Sequence, residues 1–138
     1  MKRLLVTVAA AGFGLGGCGG AALATAPPRS VPLDRAVAIY DCSGHAVTRP
    51  ASLVLACGDA NSQLRGMRWT GWGHARASGS GVLSEASCNP SCATGGLVNK
   101  RVHVTASGLT LQGTSALYSQ MTVGKQRYAL SRQGPSQQ

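Results

Sequence analysis

The groups that could carry acid–base chemistry in this 138-residue chain are few: His45, His74, His103, Asp34, Asp41, Asp59 and Glu85. Nucleophilic hydrolysis needs a nucleophile, a base and an orienting group in mutual contact. Serines are plentiful, but the chain has no G-x-S-x-G elbow and no H-E-x-x-H helix signature. Glu85 is the only glutamate, so paired-Glu chemistry is excluded, and an Asp pair would have to come from Asp34, Asp41 and Asp59. Asp59 and Asn61, in Cys57-Gly58-Asp59-Ala60-Asn61, offer one carboxylate and one amide. Calcium takes about 6–8 oxygens, so the segment reads as a turn in which short polar side chains bond the local backbone. No catalytic residue, cofactor or metal is assigned. The expectation is a protein that is not an enzyme, with a small hydrolase as the weakest alternative.

The five cysteines fall into two groups. Cys18 ends Leu15-Gly16-Gly17-Cys18, after a basic start (Lys2, Arg3) and an apolar run from Leu4 to Leu15. Charge, apolar run and small residues in that order read as an export signal. The run is shorter than the ~20 apolar residues of a membrane span, and Gly12, Gly14 and Gly16 make a poor permanent helix. Leu15–Cys18 resembles the lipobox of bacterial lipoproteins, in which the cysteine is diacylated and becomes the new N-terminus. It departs from that pattern at Gly16, where Ala, Ser or Thr is commoner. Ala22-Leu23-Ala24 is a competing small-x-small cut that would release the protein and discard Cys18.

Cys42, Cys57, Cys88 and Cys92 remain, an even set that reads as a disulfide framework in an exported chain. Three connectivities are possible, and spacing favours Cys42–Cys57 with Cys88–Cys92. A zinc site is the sharper alternative, but the spacings are not C-x-x-C pairs and no histidine completes a usual pattern.

Charge is the other global feature. Thirteen bases stand against four acids, a formal +9, and loss of Lys2 and Arg3 with the leader leaves eleven against four, +7. Such basicity occurs in nucleic-acid domains, but export points to anionic lipid headgroups or envelope polymers instead. The plainer alternative is that Arg simply supplies solubilising charge.

The expected organisation is a signal peptide over 1–17, a lipidated Cys18 and Gly/Ala/Pro-rich tether over 18–32, a β domain over 33–133 and a disordered tail over 134–138. β-branched and apolar runs separated by Gly, Pro, Asn and Ser predict strands over Ala36–Asp41, Ser52–Cys57, Leu64–Trp72, Ala75–Leu83, Arg101–Ser107, Leu109–Gly113, Ser119–Val123 and Gln126–Leu130. In Arg101–Ala106 the alternation puts Val102, Val104 and Ala106 on one face. Val123-Gly124-Lys125 reads as a hairpin turn. No window predicts an amphipathic helix. The fold class is all-β: a small β-sandwich or barrel of about seven or eight short strands with two disulfides.

An unbroken strand puts Trp69 with Met67 on one face, and Trp72 with Arg68 and Thr70 on the other. An exposed Trp72 flanked by Arg68 and Arg76 would then make a contact patch. A bulge at Gly71 would instead turn both indoles inward.

The motif order Arg49–Asn61 (with the run Leu53-Val54-Leu55-Ala56-Cys57), Trp69-Thr70-Gly71-Trp72, Ala77-Ser78-Gly79-Ser80-Gly81 and Cys88-Asn89-Pro90-Ser91-Cys92-Ala93 resembles a group of small exported actinobacterial proteins. The resemblance spans about Cys42 to Thr105. It implies export and the cysteine pairing, and it implies no activity.

Together these features lead to the expectation of a non-catalytic, extracytoplasmic domain, anchored by lipid at Cys18 on the outer face of the cytoplasmic membrane or released. It would bind an anionic envelope polymer, lipid headgroups or an extracytoplasmic protein. The alternative from another class is a secreted enzyme inhibitor that presents the Ser87–Ala93 loop.

Overall fold

The computed structural model describes residues 36–91 and 93–138. The leader, Cys18, the 19–32 tether and Cys92 lie outside the described residues. Those described are all-β: β1 (Ala36–Tyr40), β2 (Ala46–Val47), β3 (Leu53–Val54), β4 (Ser62–Thr70), β5 (Arg76–Ala86), β6 (Leu97–Gln112), β7 (Ser115–Val123), β8 (Gln126–Ser131) and β9 (Gly134–Gln137). They form one sheet in the order β2, β1, β7, β6, β5, β4, β3, with β8 on the C-terminal half of β7 and β9 on β8. The sheet is curled into a half-barrel rather than split into a two-layer sandwich. All ladders are antiparallel except β1–β7, which is parallel.

Curling gives the sheet an inner and an outer face, and alternation assigns the residues to each. The inner face carries the core: Val37, Ile39, Leu53, Leu55, Leu64, Met67, Leu83, Val104, Ala106, Tyr118, Met121, Val123, Tyr128 and Leu130 form one cluster. Two shifts of the buried parity shape the sheet. In β4, Leu64 and Met67 are three residues apart yet both buried. The register explains this: Arg65 pairs with Val82 and Arg68 with Ser80, so Gly66 and Met67 together oppose Gly81. This is a β-bulge, and Gly66 takes its left-handed conformation, φ 60°. In β6 and β7 the buried set also changes parity, from Ala106 and Met121 to the half-buried Leu109 and the buried Tyr118. The ladder stays in register across that change, with Ser107 opposite Gln120 and Leu109 opposite Tyr118. Gly108, at φ 68°, flips the face without ending the strand. The two strands expected over Arg101–Ser107 and Leu109–Gly113 are therefore one, β6.

The ends of the strand order are consecutive in sequence, since β2 lies at one edge and β3 at the other. The 48–52 connection therefore crosses the open side of the half-barrel. Thr48 Oγ1 donates to Val37 O at 2.9 Å on the β1 side. Met67 N donates to Ala51 O at 2.9 Å, and Trp69 Nε1 to Pro50 O at 3.0 Å, on the β4 side. The Cys42–Cys57 disulfide, with Cα atoms 5.2 Å apart, ties the chain just after β1 to the chain just after β3. Closing such a loop contributes about 3 kcal/mol in the chain-entropy model. Cys88 is also disulfide-bonded.

The expected disordered tail over 134–138 is a correction: Gly134–Gln137 pairs antiparallel with β8 as β9. Gly134, at φ 91°, leaves no room for a Cβ, which would come 2.9 Å from Cys42 Cα and close to Cys57 Sγ. Pro135 follows it into a buried position, at the start of an edge strand where a missing N–H is tolerated. The C-terminal strand thus packs on the disulfide, and neither a composition signal nor a hydrophobic alternation announces it.

Gly79 and Gly81 take successive inner positions of β5. A Cβ at Gly79 would stand 2.9 Å from Trp69 Cε3 and 3.0 Å from Met67 Cε, and one at Gly81 would overlap the Met67 sulfur. These glycines make the floor on which the indole and the thioether lie. Gly79→Ala is expected to lower stability in urea unfolding by about 1–3 kcal/mol through overpacking. Ser80→Ala, on the outer face, is expected to stay within about 0.5 kcal/mol. A neutral Gly79→Ala would contradict this packing.

Candidate functional site

Trp69 and Trp72 are half-buried and pack against the core, so Trp72 does not share a face with Arg68. β4 ends at Thr70, Gly71 turns the chain at φ 65°, and Trp72 folds back over the inner face. Its ring meets Trp69 edge-on at 4.9 Å and Tyr118 at 5.2 Å between centroids. Its Nε1 donates to Val37 O at 2.9 Å. Tyr118 completes the group, donating to His74 O at 2.8 Å and accepting from Gly73 N at 3.0 Å. Burial pushes the Tyr118 phenol up from the usual 10.0, against a smaller opposing effect of the Gly73 bond. Both indoles thus point inward, although the agent is a turn at Gly71 rather than a bulge within the strand.

Arg68 and Arg76 remain exposed on the outer face, and the register shows their company. Across β4, β5 and β6 one row reads Arg65, Val82, Arg101, and the next Arg68, Ser80, His103. Thr70, Ser78, Thr105, Thr122 and Arg127 form a third row across five strands. Arg76, Ser107 and Gln120 form a fourth. The bulge at Gly66–Met67 is what brings Arg65 and Arg68, three apart, to the same face. Five arginines and His103 thus share one face with serine, threonine and glutamine between them.

The face carries no acid among the described residues: Asp41 and Asp59 sit in turns beside the disulfide, and Glu85 is on the inner face. Shallow depressions mark the face, one of about 640 Å³ among Arg68, Ser80, Arg101 and His103, another of about 400 Å³ among Arg76, Thr105, Thr122 and Arg127.

The histidines are dispersed. His45 lies 3.7 Å from Asp41, and the Asp41 carboxylate also accepts from the Ser43 and His45 amides, as a turn residue does. His74 is in the turn after Trp72, and His103 stands on the outer face. Asp59 likewise accepts from Asn61 N at 3.1 Å and Asn61 Nδ2 at 2.6 Å, forming the expected turn. Among the described residues no group of three His, Cys, Asp or Glu side chains is placed to hold a metal ion. The loop after β5 is braced by Ser87 N to Gly96 O and Gly95 N to Ser91 O.

A separate concavity, of about 600 Å³, opens at one end of the half-barrel. Leu83, Val102 and Val123 line it, and Glu85, Lys100, Lys125 and Tyr128 give it polar character. Lys100 Nζ lies 2.8 Å from Glu85 Oε2. The Tyr128 phenol is pushed up, first by burial and then by the Glu85 charge. The Lys100 charge acts the other way, and the buried Ser62 hydroxyl forms no hydrogen bond. Sequence reading missed this group because it ends the expected Ala75–Leu83 strand at Leu83. Extended by two residues, the alternation puts Glu85 on the same face as Leu83.

No protein-family model, no curated protein and no solved structure matches the chain. The Cys42–Cys57 disulfide suggests an oxidising, extracytoplasmic setting. No helix among the described residues is long and apolar enough to cross a membrane.

Proposed function

We propose that this domain is a non-catalytic binding module of the cell envelope whose ligand is an anionic polymer or the anionic headgroups of lipid. The observation that carries the reading is the outer face of β4–β8, where Arg65, Arg68, Arg76, Arg101 and Arg127 gather with no acid of the described residues among them. Guanidinium forks match phosphate and carboxylate oxygens in pairs, and the interleaved hydroxyls of Ser78, Ser80, Thr105 and Thr122 add donors. A polar sheet face without a pocketed nucleophile suits a repeating anionic surface better than a single small substrate.

Purified domain is expected to bind immobilised polyphosphate, phosphatidylglycerol vesicles or both, while ignoring phosphatidylcholine vesicles. Binding should fall steeply as salt shortens the screening length from about 10 Å at 0.1 M to about 3 Å at 1 M. Replacing Arg65, Arg68 and Arg101 with Ser should lower affinity at least tenfold. Salt-independent binding, or an unchanged triple variant, would remove the basis of the reading, and the two probes separate a polymer from a headgroup.

The anchoring half of the reading rests on sequence: the basic start, the apolar run and the lipobox-like Leu15–Cys18. Intact mass of the mature protein is expected to show a chain beginning at a diacylated Cys18. A chain beginning at Thr25 would make the protein a released one.

A further inference from the structure

The N-terminal part of β6 is paired on one side only. Leu97–Ser107 runs in register with Arg76–Ala86 of β5, but β7 joins β6 only from Val104 onward. The last contact on that side is Gly124 N donating to His103 O at 2.9 Å. Among the described residues no strand pairs the far edge of Leu97–Val102. Alternate residues of a strand send their backbone groups to opposite edges. The His103 carbonyl faces the β7 side, so Leu97, Asn99 and Arg101 present their N–H and C=O groups to the same open edge. Leu97 is 60% exposed and Val98 52% exposed, two of the largest apolar exposures among the described residues.

The open edge borders the 600 Å³ concavity. Lys100 and Val102 of β6 line one side, and Val123, Lys125 and Gln126 of the β7–β8 turn line the other. A strand laid along β6 at the usual spacing of about 4.8 Å would enter this gap. Its inward side chains would meet the apolar wall of Leu83, Val102 and Val123, together with the Lys125 ammonium and the Lys100–Glu85 ion pair, where Lys125 and Arg101 leave the positive charge in excess. Its outward side chains would lie beside Arg101.

Unpaired edges invite indiscriminate pairing, and charged side chains are a common guard against it. Here the guard is cationic. A second copy of this edge would bring Lys100 and Arg101 against their own counterparts, and like charges set opposite each other are unfavourable. An acidic strand would meet complementary charge instead.

We infer that the Leu97–Val102 edge is a docking site for an extended segment of another protein, added as a strand to β6. That segment would alternate apolar with acidic residues. This site lies beside the concavity rather than on the Arg65–Arg68 face, and it does not depend on the polyanion reading.

The probe is an octapeptide alternating valine and glutamate, compared with its valine–lysine counterpart, on the whole mature domain. The valine–glutamate peptide is expected to bind at least tenfold more tightly. It should also slow hydrogen exchange at the Leu97, Asn99 and Arg101 amides at least tenfold. Asn99→Pro removes an outward-facing N–H while leaving the β5 ladder intact, and it should abolish binding. Lys125→Glu should weaken binding several-fold without touching the backbone, which keeps the test decisive if the proline variant does not fold. Replacing Arg65 and Arg68 with Ser should leave the amide protection in place.

Equal binding of the two peptides, or binding without protection of those three amides, would overturn the inference. So would a concentration-dependent dimer that protects them in the absence of peptide, which would assign the edge to a second copy.

Discussion

Everything else in this fold depends on how the open side of a single curled sheet is held shut. The strand order puts β2 and β3, neighbours in sequence, at opposite ends of the sheet. The chain between them has only residues 48–52 to span the gap, so the two ends must stay close. The Cys42–Cys57 bridge fixes that distance covalently, just beyond β1 and β3. The Trp69 and Trp72 indoles fix it non-covalently, each donating to a carbonyl across or along the gap, at Pro50 and Val37 respectively. A flat sheet of this composition would expose Ile39, Leu64 and Met121, all of which are essentially inaccessible in the curled one.

Closure also decides which residues reach the outside. Accommodating Trp69 and Met67 requires bare backbone on β5, supplied by Gly79 and Gly81, and a bulge on β4, supplied at Gly66. The bulge moves Met67 to the inner face over Gly79 and Gly81 and, by the same shift, moves Arg68 to the same outer face as Arg65. The packing of the interior and the gathering of positive charge outside are therefore one geometric event. The face opposite the core is basic because the acids among the described residues are placed elsewhere: in the Asp41 and Asp59 turns by the disulfide, and at Glu85, where Lys100 pairs with it.

Local pattern made a good part of this legible. The Val102, Val104 and Ala106 stripe, the turn at Gly124 and the strand-rich character all follow from period-two alternation and turn residues. The spacing of Cys42 and Cys57 pointed to their pairing. Long-range geometry was not legible. Arg65 and Arg68 read as opposite-faced until the bulge is known, and Arg76, Arg101 and Arg127 are scattered until five strands are aligned. β9 escaped because Gly134 and Pro135 carry no strand signal, and their burial depends on a disulfide far away in sequence. Trp72 was placed by a left-handed Gly71 that an unbroken strand would not contain. The open edge of β6 is likewise a property of where β7 stops, which no single segment encodes.

The most direct test of this account is hydrogen exchange on a Cys42→Ser, Cys57→Ser double variant. If closure is the governing constraint, protection should fall together at Val37–Tyr40 of β1 and at Leu64–Met67 of β4, the two sides of the gap. The β5–β6–β7 centre, where Val104, Ala106 and Met121 pack, should keep most of its protection. Unchanged protection at the two edges, or a loss spread evenly over all strands, would contradict it.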